Sequence, residues 1–151
     1  MADFKQILSI EAATADQLSL GGTWAADAEQ TIDYDNSSLL LPEAFAELDI
    51  EFSSWTMVLD TRVVDMYVIP GMASGRFEEY DSTTLPQAKW FVDSFRLTEN
   101  HAAGTNVKLF SRPFETVSDY MRVVLTNVSG QTIASGTTFA LRAFTRLQDE
   151  Q

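Results

Sequence analysis

Few residues in this sequence could perform acid–base or nucleophilic chemistry. His101 is the only histidine, and there is no cysteine. A Ser-His-Asp triad would need His101 as its base, but this residue lies in the polar segment 99–104, and no Gly-x-Ser-x-Gly turn supplies a nucleophile. No glycine-rich loop of the kind that holds a phosphate or a dinucleotide is present. The sequence therefore predicts no catalytic residue and no cofactor.

Carboxylates are abundant, so a pair of them carries little information by itself. Glu78 and Glu79 could form the acid–base pair of a glycosidase, although a solvated loop is the favoured interpretation. Asp33-Tyr34-Asp35-Asn36 supplies oxygen ligands of the kind that calcium prefers, but it lacks the glycine and the distal glutamate of an EF-hand loop. We therefore predict a binding protein rather than an enzyme, with no metal site.

The elements that would position these residues alternate between apolar and polar side chains, which is typical of β-strands. In the 45–52 segment one face is apolar and the other carries carboxylates, as a sheet packed on one side requires. Pro70-Gly71 is predicted to end the strand that begins at Arg62, and residues 128–131 are predicted to form a tight turn between two strands. Strands are predicted over 26–34, 45–52, 62–69, 90–97, 107–110, 120–127 and 139–147, with a further piece at 55–59. The predicted core consists of Leu48, Ile50, Phe52, Val64, Met66, Val68, Phe95, Val123, Leu125, Phe139 and Leu141.

About eight strands without a long helical segment or an internal repeat predict an all-β fold, a single antiparallel β-sandwich that is jelly-roll-like. Two segments lie outside the strand pattern. Residues 1–20 are predicted to form an N-terminal arm on a sandwich domain of residues 21–151, and the alternative is that the arm packs on its own sandwich. The loop 70–86 is long enough to be functional.

The charge distribution limits the possible partners. The net charge is −12, and residues 1–61 hold twelve acidic side chains and one basic side chain. Nucleic acids are bound through Lys and Arg that neutralise phosphates, so we expect no nucleic-acid partner. Residues 1–20 lack the basic start and apolar run of a signal peptide, and no later stretch reaches eighteen apolar residues, so we predict no membrane span and synthesis in the cytoplasm.

Four segments of the chain resemble a family of small structural proteins of tailed-phage virions. Residues 25–52 contain a small-residue strand, the Asp35-Asn36 turn, a leucine-rich bridge and an alternating strand. Residues 64–70 resemble the central strand of the family, and the aromatic and acidic patch at 75–80 follows it. Residues 121–132 resemble its hairpin. The resemblance implies a jelly-roll-like fold and a place in the virion, with no catalytic residue to carry over.

From this resemblance we predict a capsid decoration (cement) protein on the capsid exterior, made in the host cytoplasm. It would bind the major capsid protein and stabilise the shell as a homotrimer. The alternative is a tail-associated or baseplate-associated module, or a carbohydrate-binding β-sandwich module that uses the aromatic residues of the loop. The predicted interface residues are Phe4, Ile7, Leu8, Ile10, Phe77 and Tyr80.

Overall fold

A computed structural model describes residues 5–10, 17–19, 22–37, 41–51, 58–73, 75–78, 86, 88–102, 104–116 and 118–149; at 5–10, 17–19, 51 and 145–149 it describes the backbone. Every regular element of these residues is a β-strand except one turn of 3₁₀ helix, Ala88–Trp90. The strands are β1 Lys5–Ile10, β2 Gln17–Ser19, β3 Glu29–Asp35, β4 Glu43–Glu51, β5 Arg62–Ala73, β6 Arg76–Phe77, β7 Phe91–Arg96, β8 Asn106–Phe110, β9 Phe114–Glu115, β10 Tyr120–Asn127 and β11 Thr138–Asp149.

The strands form two antiparallel sheets. The first sheet has the order β1-β11-β4-β8, with β2 also paired to β11 and β9 also paired to β4. The second sheet has the order β3-β10-β5-β6, with β7 also paired to β5. The all-β prediction is confirmed, and the two sheets pack face to face as a sandwich around a shared core.

The eleven strand segments of the described residues correspond to eight strands. In three cases, two consecutive segments pair with the same partner strand and together occupy one position in the sheet. β1 and β2 follow one another along β11, β6 and β7 along β5, and β8 and β9 along β4. We number these eight strands in chain order and count each pair of segments as one strand. Across the first sheet, the spatial order is then first, eighth, third and sixth. The second contains the second, seventh, fourth and fifth. This order is that of a jelly roll, as predicted.

The core lies between the sheets, where the period of two places alternate side chains of each strand. Ten of the eleven predicted core residues are buried, and the remaining one, Phe52, lies outside the described residues. Trp24 and Tyr34 are also buried and add two large aromatic side chains that the strand pattern did not predict. The predicted core is therefore confirmed where the structure describes it.

The prediction that Pro70-Gly71 ends a strand is wrong, because β5 continues through both residues to Ala73. Proline lacks an N–H group, but the carbonyl of Pro70 still accepts a hydrogen bond from the N–H of Glu78 at 3.1 Å. The register between β5 and β6 shifts between Gly71 and Ala73. Such irregularities in strand pairing are positions where proline and glycine are tolerated in strands.

The predicted tight turn at 128–131 does not join two paired strands. β10 lies in the second sheet and β11 in the first, so the chain crosses the sandwich between Asn127 and Thr138. The fully buried Asn127 fixes this crossing. Its Nδ2 donates to the carbonyl oxygens of Trp24 (3.1 Å), Ala25 (3.1 Å) and Gln131 (2.8 Å), and its Oδ1 accepts from the N–H of Ser129 (3.1 Å).

The described part of residues 1–20 lies in the first sheet rather than apart from it. β1 pairs with Phe144–Asp149 of β11, and β2 pairs with residues 138–140 of the same strand. This arrangement is the alternative in which the segment packs on its own sandwich. It covers the edge of β11 that β4 leaves free, and a covered edge cannot pair with another chain.

We expect Asn127→Ala to lower the free energy of unfolding by about 2–4 kcal/mol, because it removes the hydrogen bonds of a fully buried amide and leaves a cavity in its place. Asn127→Asp should lose at least as much at about pH 7, since a carboxylate cannot donate. Urea unfolding followed by tryptophan fluorescence measures both. Asn106→Ala changes the same residue type at an exposed position, and its effect should stay within about 0.5 kcal/mol. Equal losses at the two positions would contradict the role of Asn127.

Candidate functional site

The described members of the predicted interface lie in different sheets. Phe77 lies in β6 of the second sheet, whereas Ile7, Leu8 and Ile10 lie in β1 of the first sheet. Phe4 and Tyr80 lie outside the described residues. Phe77 is half-buried, and with Trp90 it packs against a small apolar cluster of Tyr67, Ile69 and Val124 on the outer face of the second sheet.

The residues that could have carried chemistry are held by separate partners. Glu78 pairs with Lys89, at 2.6 Å between Oε1 and Nζ. Asp33 accepts hydrogen bonds from Nε and Nη2 of Arg122 at 2.7 and 3.0 Å. His101 Nε2 lies 3.9 Å from the carboxylate of Glu99.

The oxygen-rich segment at 33–36 does not converge on a common point either. Asp35 accepts from the N–H of Ser37 at 2.8 Å, and the Nδ2 of Asn36 donates to the carbonyl oxygen of Leu41 at 2.9 Å. Within the described ranges, no group of three or more His, Asp or Glu side chains is arranged to hold a metal ion. In the same part of the chain, no helix has the length and apolar character that a membrane crossing needs.

A cleft of about 550 Å³ opens where β5 and β6 meet. Its volume lies within the range of small-molecule sites, roughly 300–1,000 Å³. We call it the β5–β6 cleft. It is lined by Pro70, Gly71, Met72, Ala73, Arg76, Phe77, Glu78 and Ser118.

The wall of this cleft is the ring of Phe77, which is held on two sides. A Cβ atom on residue 71 would lie 2.6 Å from Cδ1 of Phe77, so only glycine leaves room for the ring. The guanidinium carbon of Arg122 lies 4.4 Å from the ring centroid, a cation–π contact. Asp33 fixes Arg122 in turn, and its hydrogen bonds raise the pKa of Arg122. The ring is therefore positioned before any ligand arrives.

A second surface lies on the outer face of the first sheet, where β4 alternates strictly. Ala44, Ala46, Leu48 and Ile50 point into the core with no exposed area, so the residues between them face outward. The register then places Glu47 beside Phe110 of β8, and Asp49 between Lys108 of β8 and Thr138 of β11. Glu47, Asp49, Lys108 and Thr138 line a shallow depression of about 170 Å³, and Phe110 lies beside it. We call this surface the charged tray, formed by Glu47, Asp49, Lys108, Thr138, Ala140 and Arg142.

Glu47 is the centre of the charged tray. Its Oε2 accepts a hydrogen bond from Nε of Arg142 at 2.7 Å, and its Oε1 lies 3.0 Å from Nζ of Lys108. The hydrogen bonds from Arg142 and Lys108 lower the pKa of Glu47 below its ordinary value of 4.5. Three charged side chains from three strands are thus fixed in one arrangement, with a carboxylate that stays ionised.

Aromatic rings border one end of the charged tray. Phe110 is 59% exposed although it is large and apolar. Its ring centroid lies 6.4 Å from that of Phe45, which in turn lies 5.9 Å from that of Phe144. This spacing is typical of tilted aromatic pairs. An exposed ring therefore stands beside a set of fixed hydrogen-bonding groups.

The sequence predicted only part of the charged tray and its aromatic border. The carboxylate face of the 45–52 segment was predicted, but Lys108 and Phe110 were not identified as functional residues. A signal was present in β8, where Val107 and Leu109 are buried and Lys108 and Phe110 are exposed. Alternation alone would have placed Lys108 and Phe110 together, but only strand pairing shows that they lie beside Glu47 and Asp49.

No protein family and no curated protein matches the chain. Among solved structures, it is similar to the carbohydrate-binding module CBM36 in complex with calcium and xylotriose, with a TM-score of 0.45, 10% identity and coverage of 91% of this chain and 98% of that one. CBM35 from Cellvibrio japonicus Abf62 gives a TM-score of 0.39 and 12% identity over 92% of this chain and 97% of that one. CsCBM6-3 from Clostridium stercorarium in complex with cellobiose gives a TM-score of 0.35 and 10% identity over 94% of this chain and 93% of that one.

We expect Gly71→Ala to displace the ring of Phe77 and to destabilise the protein by about 1–3 kcal/mol, as overpacking does. Gly22→Ala is the matched control, because nothing lies within 4 Å of a Cβ at that position. Its effect should stay within about 0.5 kcal/mol. Thermal unfolding of both variants measures the difference, and equal unfolding temperatures would show that the ring does not depend on Gly71.

Proposed function

We propose that this β-sandwich is a non-catalytic module that binds a neutral carbohydrate on the outer face of its first sheet. The observation that carries the proposal is the exposed ring of Phe110 beside the charged tray. The ring and the tray lie on the same face, since Phe110 is the direct cross-strand neighbour of Glu47. The prediction of capsid decoration stays a prediction from the resemblance, and attachment to a virion is compatible with binding a carbohydrate.

The chemistry of a sugar ring matches this surface. One face of a pyranose ring carries mainly C–H groups, which an aromatic ring can cover, and its edge carries hydroxyl groups that both donate and accept hydrogen bonds. The charged tray supplies acceptors on Glu47 and Asp49 and donors on Lys108 and Arg142. Hydrogen bonds to charged groups are stronger than those between neutral groups. Each hydroxyl group could therefore find a partner of the opposite kind.

The balance of charge favours a neutral ligand. Two carboxylates and two cations line the charged tray, so the local charges cancel even though the whole chain carries −12. An anionic polymer would meet the negative field of the whole protein without a net positive site to offset it. A neutral oligosaccharide meets no such repulsion.

Binding without hydrolysis is favoured by the state of Glu47. Glycosidases need one carboxylic acid whose pKa is raised so that it can protonate the leaving group. The contacts of Glu47 with Arg142 and Lys108 lower its pKa instead. A carboxylate that stays ionised at neutral pH cannot donate a proton, but it remains a strong hydrogen-bond acceptor.

We expect Phe110→Ala to weaken binding of a neutral oligosaccharide about tenfold, or ~1.4 kcal/mol, because the ring supplies the apolar contact. The test is isothermal titration calorimetry with xylo-, cello- and manno-oligosaccharides. Phe91→Ala removes another exposed phenylalanine, 43% accessible and in the second sheet, and should leave the affinity unchanged. The proposal fails if the parent protein binds none of these sugars, or if the two variants lose affinity equally.

Binding should also respond to pH through Glu47. Its pKa is lowered in the folded protein, so the ion pairs and the stability that they contribute are complete above 4.5, the ordinary value. Both are lost only as the pH falls through the lowered pKa. We therefore expect affinity to hold from about pH 7 to the ordinary value and to fall below it. Titrations from about pH 7 to about pH 3 measure this profile.

Glu47→Gln is the control for the pH profile. It should bind more weakly at about pH 7, because a neutral amide accepts weaker hydrogen bonds than a carboxylate. It should also lose the part of the acid response that belongs to Glu47. An unchanged profile in this variant would show that another group controls the pH dependence.

A further inference from the structure

The β5–β6 cleft lies in the opposite sheet from the charged tray and has a different chemistry. Most of its lining is apolar, with Pro70, Met72, Ala73 and Phe77 contributing carbon surface. Met72 is 94% exposed, the highest fraction of any exposed large apolar residue among those described. Exposed methionine is common at binding surfaces because its flexible side chain adapts to the shape of a ligand. The cleft therefore suits an apolar group rather than a polyhydroxylated one.

The polar groups of the cleft are already occupied, with one exception. Glu78 is neutralised by Lys89. The hydroxyl of Ser118 accepts from the N–H of Gly71 at 3.1 Å and donates to the carbonyl oxygen of Tyr120. Arg76 is exposed, and no carboxylate among the described residues forms an ion pair with it. Among the described residues that line the cleft, the guanidinium group of Arg76 is the charge that remains unpaired.

We infer that the β5–β6 cleft is a second binding site, separate from the carbohydrate surface, and that it takes an apolar organic carboxylate. The apolar body of the ligand would lie between Met72 and the fixed ring of Phe77. Its carboxylate would pair with Arg76, whose planar group binds a carboxylate through two parallel hydrogen bonds. Charge complementarity selects the anion, and the apolar lining excludes small hydrophilic acids.

The preorganisation of Phe77 supports this assignment. Gly71 and Arg122 hold the ring in place in the absence of ligand, so binding requires little further ordering of the cleft wall. Arg122 itself is committed to Asp33 through two hydrogen bonds, which leaves the pairing with a ligand to Arg76. The two arginines therefore have different roles, one structural and one in recognition.

The test is a titration of ¹⁵N-labelled protein with 3-phenylpropionate, followed by NMR. We expect shifts at Gly71, Ala73 and Phe77, and an affinity about tenfold higher than for the neutral 3-phenylpropionamide, because a hydrogen bond to a charged group is lost in the amide. Arg76→Gln should remove this tenfold preference while leaving the binding of the amide unchanged. Galacturonate, a hydrophilic carboxylate, should bind more weakly than 3-phenylpropionate.

Further variants separate this site from the carbohydrate surface. Phe110→Ala should leave the binding of 3-phenylpropionate unchanged, and Arg76→Gln should leave the binding of neutral oligosaccharides unchanged. Met72→Gln should weaken the acid and the amide alike. Equal affinity for the acid and the amide, or an unaffected Arg76→Gln variant, would overturn the inference.

Discussion

The buried amide of Asn127 is the contact on which the arrangement of the two sheets depends. At this point the chain leaves the second sheet, crosses the sandwich and enters the first. The same amide binds the carbonyl oxygens of Trp24 and Ala25, which precede β3, and that of Gln131 in the crossing. A buried amide is costly unless its hydrogen bonds are made, and Asn127 makes them with both segments, so it ties the crossing to the residues before β3. Trp24 and Ile133 then pair through their backbones at 2.8 and 2.9 Å.

With the sheets fixed in this way, their outer faces acquire different chemistry from the same alternation. On the first sheet, β4 and β8 present carboxylates, a lysine and the exposed Phe110. On the second sheet, the outer face carries an apolar cluster, and Phe77 and Trp90 pack on it. One face therefore suits a polyhydroxylated ligand, and the cleft beside the other suits an apolar one. Most residues of both proposed sites lie on strands, which hold a site more precisely than loops do.

The sequence predicted the buried core well, because the buried side chains of each strand are apolar and recur at every second residue. Residues such as Leu48, Val123 and Leu141 alternate with polar residues and are buried as predicted. The predictions were wrong where contacts with distant residues overrode a local sequence signal. Pro70-Gly71 reads as a strand end, yet the hydrogen bond from Glu78 and the ring of Phe77 keep both residues in β5. The turn at 128–131 is local, but the sheet that the chain then enters is not a local property.

By itself the sequence determined the fold class, the core and the acidic character of one strand face, because these follow from side-chain type at a spacing of two. It did not determine the two candidate sites. The charged tray needs Glu47, Lys108 and Arg142, which come from three strands far apart in the chain and meet only through the register of β4 with β8 and β11. The β5–β6 cleft needs Gly71 beneath Phe77. Register and ring placement depend on contacts between distant segments, and no single segment of the sequence encodes them.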